Sequence, residues 1–309
     1  MMLTEFVALA ITVVIVCESS VNDPRLFETT DTTNNAQDYT SLTAEDFENA
    51  KNLTREQKYG TLKGKGMENS NMFEGDIANP GLNSATIYDF MGQKHPNDPI
   101  VAIPTSAIMN RYYRWPANII PYTIATNFTA TERAIIADAL SDMMIKTCYK
   151  FVGRTNEIDY VNIVKRGGCS SPVGKRGKSQ DLSLGNGCVY IDIIQHEMMH
   201  AIGLFHEQSR ADRDQYVEVL SQNIQNGKLH DFNKYGLDFI DHLGQPYDYY
   251  SIMHYEGTAF TKSGAETIRP VASARAKGIK LERRTEMSPI DIKKLNIMAG
   301  CPNFVAASG

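Results

Sequence analysis

No stretch of this 309-residue chain is apolar for long enough to cross a bilayer. The run Phe6 to Cys17 stops well short of the roughly 20 residues a hydrocarbon core demands, so it reads as the core of a signal peptide spanning residues 1–20, with cleavage near Cys17 to Ser20. The usual positive residues ahead of such a core are missing, because no Lys or Arg precedes Arg25. Basic runs are scarce as well. With a net charge of -5 and no Lys/Arg stripe, neither a nucleic acid nor an anionic membrane is an expected partner. Cysteines number five, and none forms a C-x-x-C pair, which argues against a four-cysteine zinc site. Once Cys17 leaves with the signal, Cys148, Cys169, Cys188 and Cys301 remain and allow three disulfide pairings. Internal repeats are absent. The composition, 42% hydrophobic and 22% charged, is globular, and the length allows one large domain or two small ones.

What the chain does carry is Gln195 to Asp214, QHEMMHAIGLFHEQSRADRD. His196 and His200 are four residues apart and lie on one face of a helix, so both imidazoles reach a single metal ion, for which zinc is the natural candidate. Were the helix to continue, His206 would sit about 240° around the axis and about 9 Å further on. Gly203 resolves this, since a glycine accepts positive φ and lets the helix stop and the chain turn back to the same ion. Three neutral nitrogens leave a fourth position for water, whose pKa falls from about 15.7 to near 7. Glu197, beside the first ligand, is placed to act as general base. The extended pattern H-E-x-x-H-x-x-G-x-x-H predicts a methionine turn downstream, and Ser251-Ile252-Met253-His254-Tyr255 supplies it, with Met253 as an apolar floor beneath the histidines.

His206 to Asp214 and Ser251 to Tyr255, with Arg114-Trp115-Pro116, Ile120-Pro121-Tyr122, Asp181 to Gly185, Asn223-Ile224 and Asp291-Ile292, make the chain resemble the astacin family of zinc endopeptidases from about Arg114 to Cys301. The resemblance implies an α+β metzincin fold in two lobes. The N-terminal lobe would carry a mixed twisted sheet and two long helices, and the C-terminal lobe would be mostly irregular with one helix. It implies one zinc per chain on His196, His200 and His206, Tyr255 as a further ligand that swings to the oxyanion, protein or peptide substrates, and a secreted monomer activated by another protease. It also pairs Cys148 with Cys301 and Cys169 with Cys188, and places the new amino terminus near Glu207. An alternative of another class, a binding protein that keeps the fold without turnover, is opposed by the intact Glu197.

From Val21 to about Thr105 the chain is polar and does not read as a packed domain, apart from one helix expected over Ala44 to Tyr59. Within it, Phe73-Glu74-Gly75-Asp76 resembles the pro-segment motif of astacin precursors, in which an aspartate binds zinc in place of water; here that residue is Asp76. The division expected is therefore signal 1–20, pro-segment 21–105 and catalytic domain 106–309, with a cut near Pro104 to Ala107. No Arg or Lys immediately precedes that cut, so a trypsin-like activator is not expected.

In the mature part, Thr129 to Glu132 has capping-box form and opens a helix through Thr147 whose apolar positions run from Ile135 to Met144. Asn118 to Ile124, Tyr160 to Lys165, Asp181 to Leu184 and Val189 to Ile194 read as strands, the last leading into the zinc helix. Ser171 to Gly174 is expected beside the sheet edge that takes extended substrate, with Pro172 removing one donor, and Asp192-Ile193 stands where the family commonly has Gly-Thr. Asn52 and Asn127 head sequons. The basic residues Arg275, Lys277, Lys280, Arg283 and Arg284 are expected to line the primed side of the cleft and favour acidic substrate side chains.

Overall fold

In the computed structural model, which describes residues 39–60, 72–79, 113–235 and 242–301, a short strand β1 (Tyr39–Thr40) leads into two helices, α1 (Ala44–Ala50) and α2 (Arg55–Tyr59). The expected signal peptide and the cut near Pro104 to Ala107 lie outside those residues. The sequence predicts one helix over Ala44 to Tyr59, and the chain makes two. Thr54 is the reason. Its backbone is extended (ψ 160°), and its hydroxyl accepts from Gln57 N–H while Gln57 Oε1 accepts from Thr54 N–H, a capping box that opens a new helix. This part is also packed, contrary to expectation, with Leu42 and Ala50 buried in the main core.

The sheet that follows comprises β2 (Ile119–Ala125), β3 (Lys150–Gly153), β4 (Tyr160–Val164), β5 (Cys169–Ser170) and β6 (Ser179–Leu184), together with β1. Its order is β1-β2-β4-β6-β5, with β3 also beside β2. β2, β3, β4 and β6 run parallel, whereas β1 and β5 are antiparallel to their neighbours, so the sheet is mixed. Against it packs α3 (Ala130–Lys146), started by the Thr129–Glu132 capping box and burying Ile135, Ile136, Ala139, Leu140 and Met143. The second long helix, α4 (Ile191–Ile202), carries the HExxH pattern and is buried at every residue.

A correction applies at its start. Val189 to Ile194 is not a strand, because the chain enters the helix at Ile191. A short apolar run buried on all sides has no periodicity with which to tell strand from helix. The second lobe is mostly irregular. It holds the hairpin of β7 (Val217–Val219) and β8 (Ile268–Pro270), a short helix α5 (Ala272–Arg275) and the closing helix α6 (Pro289–Met298). Cys148, just past α3, is bonded to Cys301, just past α6, and Cys169 in β5 to Cys188, as the resemblance implied. No helix among the described residues is long and apolar enough to cross a membrane.

Candidate metal centre

Helix α4 brings His196 and His200 onto one face, with their Nε2 atoms 3.1 Å apart. At Gly203 the backbone takes φ +129°, ending the helix, and the chain doubles back so that His206 joins them. The fourth member comes from far away in sequence. Asp76 Oδ2 lies 3.2 Å from both His196 Nε2 and His206 Nε2, and Asp76 Oδ1 lies 3.5 Å from His200 Nε2. All four residues are buried. Ligands at about 2.05 Å around a tetrahedral zinc ion stand about 3.4 Å from one another, so this spacing and this N3O donor set fit zinc.

Each imidazole is held by its other nitrogen. His196 Nδ1 donates to the carbonyl of Ile252 at 2.7 Å, His200 Nδ1 to that of Leu204 at 2.8 Å, and His206 Nδ1 to Glu74 Oε2 at 2.7 Å. These bonds turn all three Nε2 atoms toward one point, and, against the effect of burial, Asp76 and Glu74 push His206 up to about 10 where no cation competes for its Nε2. Burial pushes His200 down to about 4, keeping it neutral. Asp76 is buried too, yet the surrounding histidines hold its carboxyl well below the usual range.

Glu197 is fully buried and neither of its carboxylate oxygens has a hydrogen-bond partner among the described residues. Burial, and then the nearby Asp76, push its carboxyl well above the usual range. A buried carboxyl group without a partner is costly to stability, and a strongly shifted one beside three histidines marks a candidate functional site. The methionine turn is fixed from both sides. Glu207 N–H donates to Met253 O at 2.9 Å, Tyr255 N–H donates to Gln208 Oε1 at 3.0 Å, and buried Met253 borders the same small internal cavity as His206.

Two residues that the resemblance singles out meet other partners in this arrangement. The resemblance makes Tyr255 a zinc ligand through its phenolate, but here its hydroxyl donates to the carbonyl oxygen of Glu74 at 2.8 Å, while Asp76 takes the fourth place. A phenol giving its proton to a carbonyl is not a phenolate ligand in this arrangement. The resemblance also leaves Glu207 waiting for a new amino terminus. Its carboxylate already meets Lys294 Nζ, Arg210 Nη1 at 3.0 Å and Asp248 N–H at 2.9 Å; against the effect of burial, Lys294 and Arg210 hold it below its ordinary range.

The sheet edge beyond β5 is also taken. Ser171 N–H donates to Asp76 O at 2.9 Å, Ala78 N–H to Ser171 O at 3.0 Å, and Asn79 Oδ1 accepts from Val173 N–H at 2.7 Å. Pro172 is not among these donors. Residues 76–79 thus run along the edge expected to receive substrate. The basic run is dispersed: Arg283 makes a two-point pair with buried Asp192 at 2.6 and 2.9 Å, Arg275 donates to Pro270 O, and Arg284 lies over the ring of Tyr250. Asp192 accounts for Arg283, which is therefore not available as a substrate-binding cation; Lys277 and Lys280 are exposed.

The pairings of Glu74 with His206, Lys294 with Glu207 and Arg283 with Asp192 are what sequence reasoning missed. Lys294 carried one signal, a charge on the buried stripe that Asp291, Leu295 and Met298 mark on α6.

Set against known proteins, the peptidase family described as Astacin matches residues 107–299. Zinc metalloproteinase nas-13 of Caenorhabditis elegans is 43% identical over 255 residues, which are 82% of this chain and 56% of that protein. Zinc metalloproteinase nas-4 of the same organism is 45% identical over 199 residues, 64% of this chain and 62% of that one, so the chain spans less than two thirds of either relative. Among solved structures, high choriolytic enzyme 1, a hatching-enzyme zinc protease from the medaka fish Oryzias latipes, superposes with a TM-score of 0.58 at 38% identity, covering 62% of this chain and 96% of that one.

Proposed function

Because this chain belongs to the astacin family of zinc peptidases, we propose that it is a zinc-dependent endopeptidase acting on protein or peptide substrates, secreted and made as a precursor that Asp76 keeps inactive. The observation that carries this reading is the convergence of three buried Nε2 atoms on one point beside an unpartnered Glu197, with a carboxylate of the same chain in the fourth place.

Zinc, when bound, supplies a Lewis acid that acidifies an attacking water and polarises the scissile carbonyl. His196, His200 and His206 hold it. Glu197 takes the proton of the attacking water and returns it to the leaving amine. Once residues 72–79 withdraw, the edge at Ser171 to Gly174 is free for an extended substrate, and Tyr255, released from Glu74 O, turns its hydroxyl to the oxyanion.

On this reading residues 1–20 are the signal, 21–105 the pro-segment and 106–309 the catalytic domain, monomeric and released by a separate activating protease. Two disulfides suit an oxidising compartment, and the exposed Asn52 and Asn127 are accessible to glycosylation. The test is peptide hydrolysis after pro-segment removal, comparing wild type with Glu197→Gln. The substitution is expected to cost at least about a hundredfold in kcat while one zinc per chain is retained. A zinc-loaded Glu197→Gln protein as active as wild type would refute the assignment.

A further inference from the structure

The pro-segment touches the catalytic domain in two separate places. One is the latch at residues 72–79, in the metal centre. The other is residues 39–60, which lie on β2, α3 and the start of α4. There β1 adds to the edge of β2, pairing Tyr39 with Ala125 and Thr40 with Ile124. Leu42 and Ala50 enter the main core, and Phe47 and Leu53 pack against it.

A single arginine of α3 gathers the contact. Arg133 Nε and Nη2 both reach the carboxylate of Asp46, Nη2 at 2.8 Å; Nη1 donates to Thr40 Oγ1 at 2.9 Å and Nη2 also to Ser41 O at 2.6 Å. Asp46 is held in return by the Thr43 capping box, and both partners of the ion pair are largely shielded from water. Further along, Lys58 Nζ lies 2.6 Å from Asp138 Oδ2 on the same helix, and a Cβ at Gly60 would stand 2.7 Å from the ring of Tyr190, so the backbone there is seated against it. A planar guanidinium reading one carboxylate at two points while binding two neighbouring residues is a specific recognition arrangement.

We propose that residues 39–60 are an anchor by which the pro-segment stays docked on α3 and β2 through Asp46 and Arg133, latch included, after the chain has been cut ahead of the catalytic domain. This rests on the precursor reading above. A cut near Pro104 to Ala107 leaves anchor and latch on one piece, joined through residues 61–71, so each raises the effective concentration of the other. Cleavage alone then leaves the enzyme occupied. Activity needs the anchor to let go or the piece to be cut again between anchor and latch.

The experiment uses the full chain with a site-specific protease sequence inserted between Pro104 and Ala107, cut to completion and passed over a sizing column. The wild-type piece is expected to co-elute with the catalytic domain and to keep peptide hydrolysis suppressed until dilution. Asp46→Ala should weaken retention by about a hundredfold, as loss of one of two linked contacts does. Asp46→Arg combined with Arg133→Asp should recover part of it. Should the chain carrying Arg133→Asp fail to fold, Asp46→Ala still decides, since it alters only the departing piece. Immediate separation of the wild-type piece, or equal retention of the Asp46→Ala piece, would overturn the anchor. Asp76→Ala separates the two readings: with the piece still co-eluting, released activity supports the latch, whereas silence with zinc bound refutes the latch and leaves the anchor standing.

Discussion

Glu74 shows how one side chain outside the histidine pattern can support a metal centre. Its carboxylate takes the Nδ1 proton of His206 and the hydroxyl of Ser209, at 2.7 and 3.0 Å. Such a partner orients the imidazole and raises its basicity. In the full-length chain Glu74→Ala is expected to weaken zinc retention by about ten- to a hundredfold, measured by competition with a chromophoric chelator; unchanged retention would show that Glu74 only fills space. Asp291 offers a residue-level test at the methionine turn, where it accepts from Ser251 Oγ and from Ile252 and Ser288 N–H. Burial, and then neighbouring Asp248, push its carboxyl up to about 6 from 3.8. The folded state therefore holds the proton more tightly than the unfolded one. The resulting stabilisation is complete below about pH 3.8 and lost as pH rises through about 6, an effect of about 3 kcal/mol. Asp291→Asn should remove that component, so urea unfolding at pH 3 and pH 7 should show the wild type losing about 3 kcal/mol relative to the variant. Parallel pH profiles would contradict it.

At the level of elements, the turn after α4 carries the site. Gly203 stands at φ +129°, where a side chain is strained, so Gly203→Ala should lower stability by about 1–3 kcal/mol in denaturant unfolding and displace His206, reducing zinc occupancy. Full stability and zinc content in that variant would show the turn is not glycine's doing. This turn was legible in sequence because its signal is local, as were α3, with its capping box and apolar stripe, and the spacing of His196 and His200. Elements decided by distant contacts were not. Val189 to Ile194 is apolar but for Asp192, and only its burial among other elements makes it a helix entrance. The split between α1 and α2 had a local cue in Thr54 and Gln57, which the longer apolar pattern masked.

Across the whole molecule, the sequence identified the ligands but not their supports. Glu74 meets His206 across 132 positions, Lys294 meets Glu207 across 87, and Arg133 meets Asp46 across 87. No periodicity or motif announces pairings over such distances; they follow from tertiary packing. The same packing explains why the polar segment from Val21 onward is partly built into the fold: its few apolar residues are spent where the catalytic domain offers a surface. Asp76 joins the two halves of the account, since it is the fourth group of the metal centre and, on the precursor reading, the tip of the segment that blocks it.

Peptide hydrolysis by the uncut full-length chain is therefore the most direct measurement, with Asp76→Ala compared against wild type and against Asp76→Ala combined with Glu197→Gln, all at equal zinc content. Asp76→Ala is expected to cleave while the wild type and the double variant do not. A silent, zinc-loaded Asp76→Ala chain, or an uncut wild type that cleaves equally well, would contradict a zinc peptidase held latent by its own aspartate.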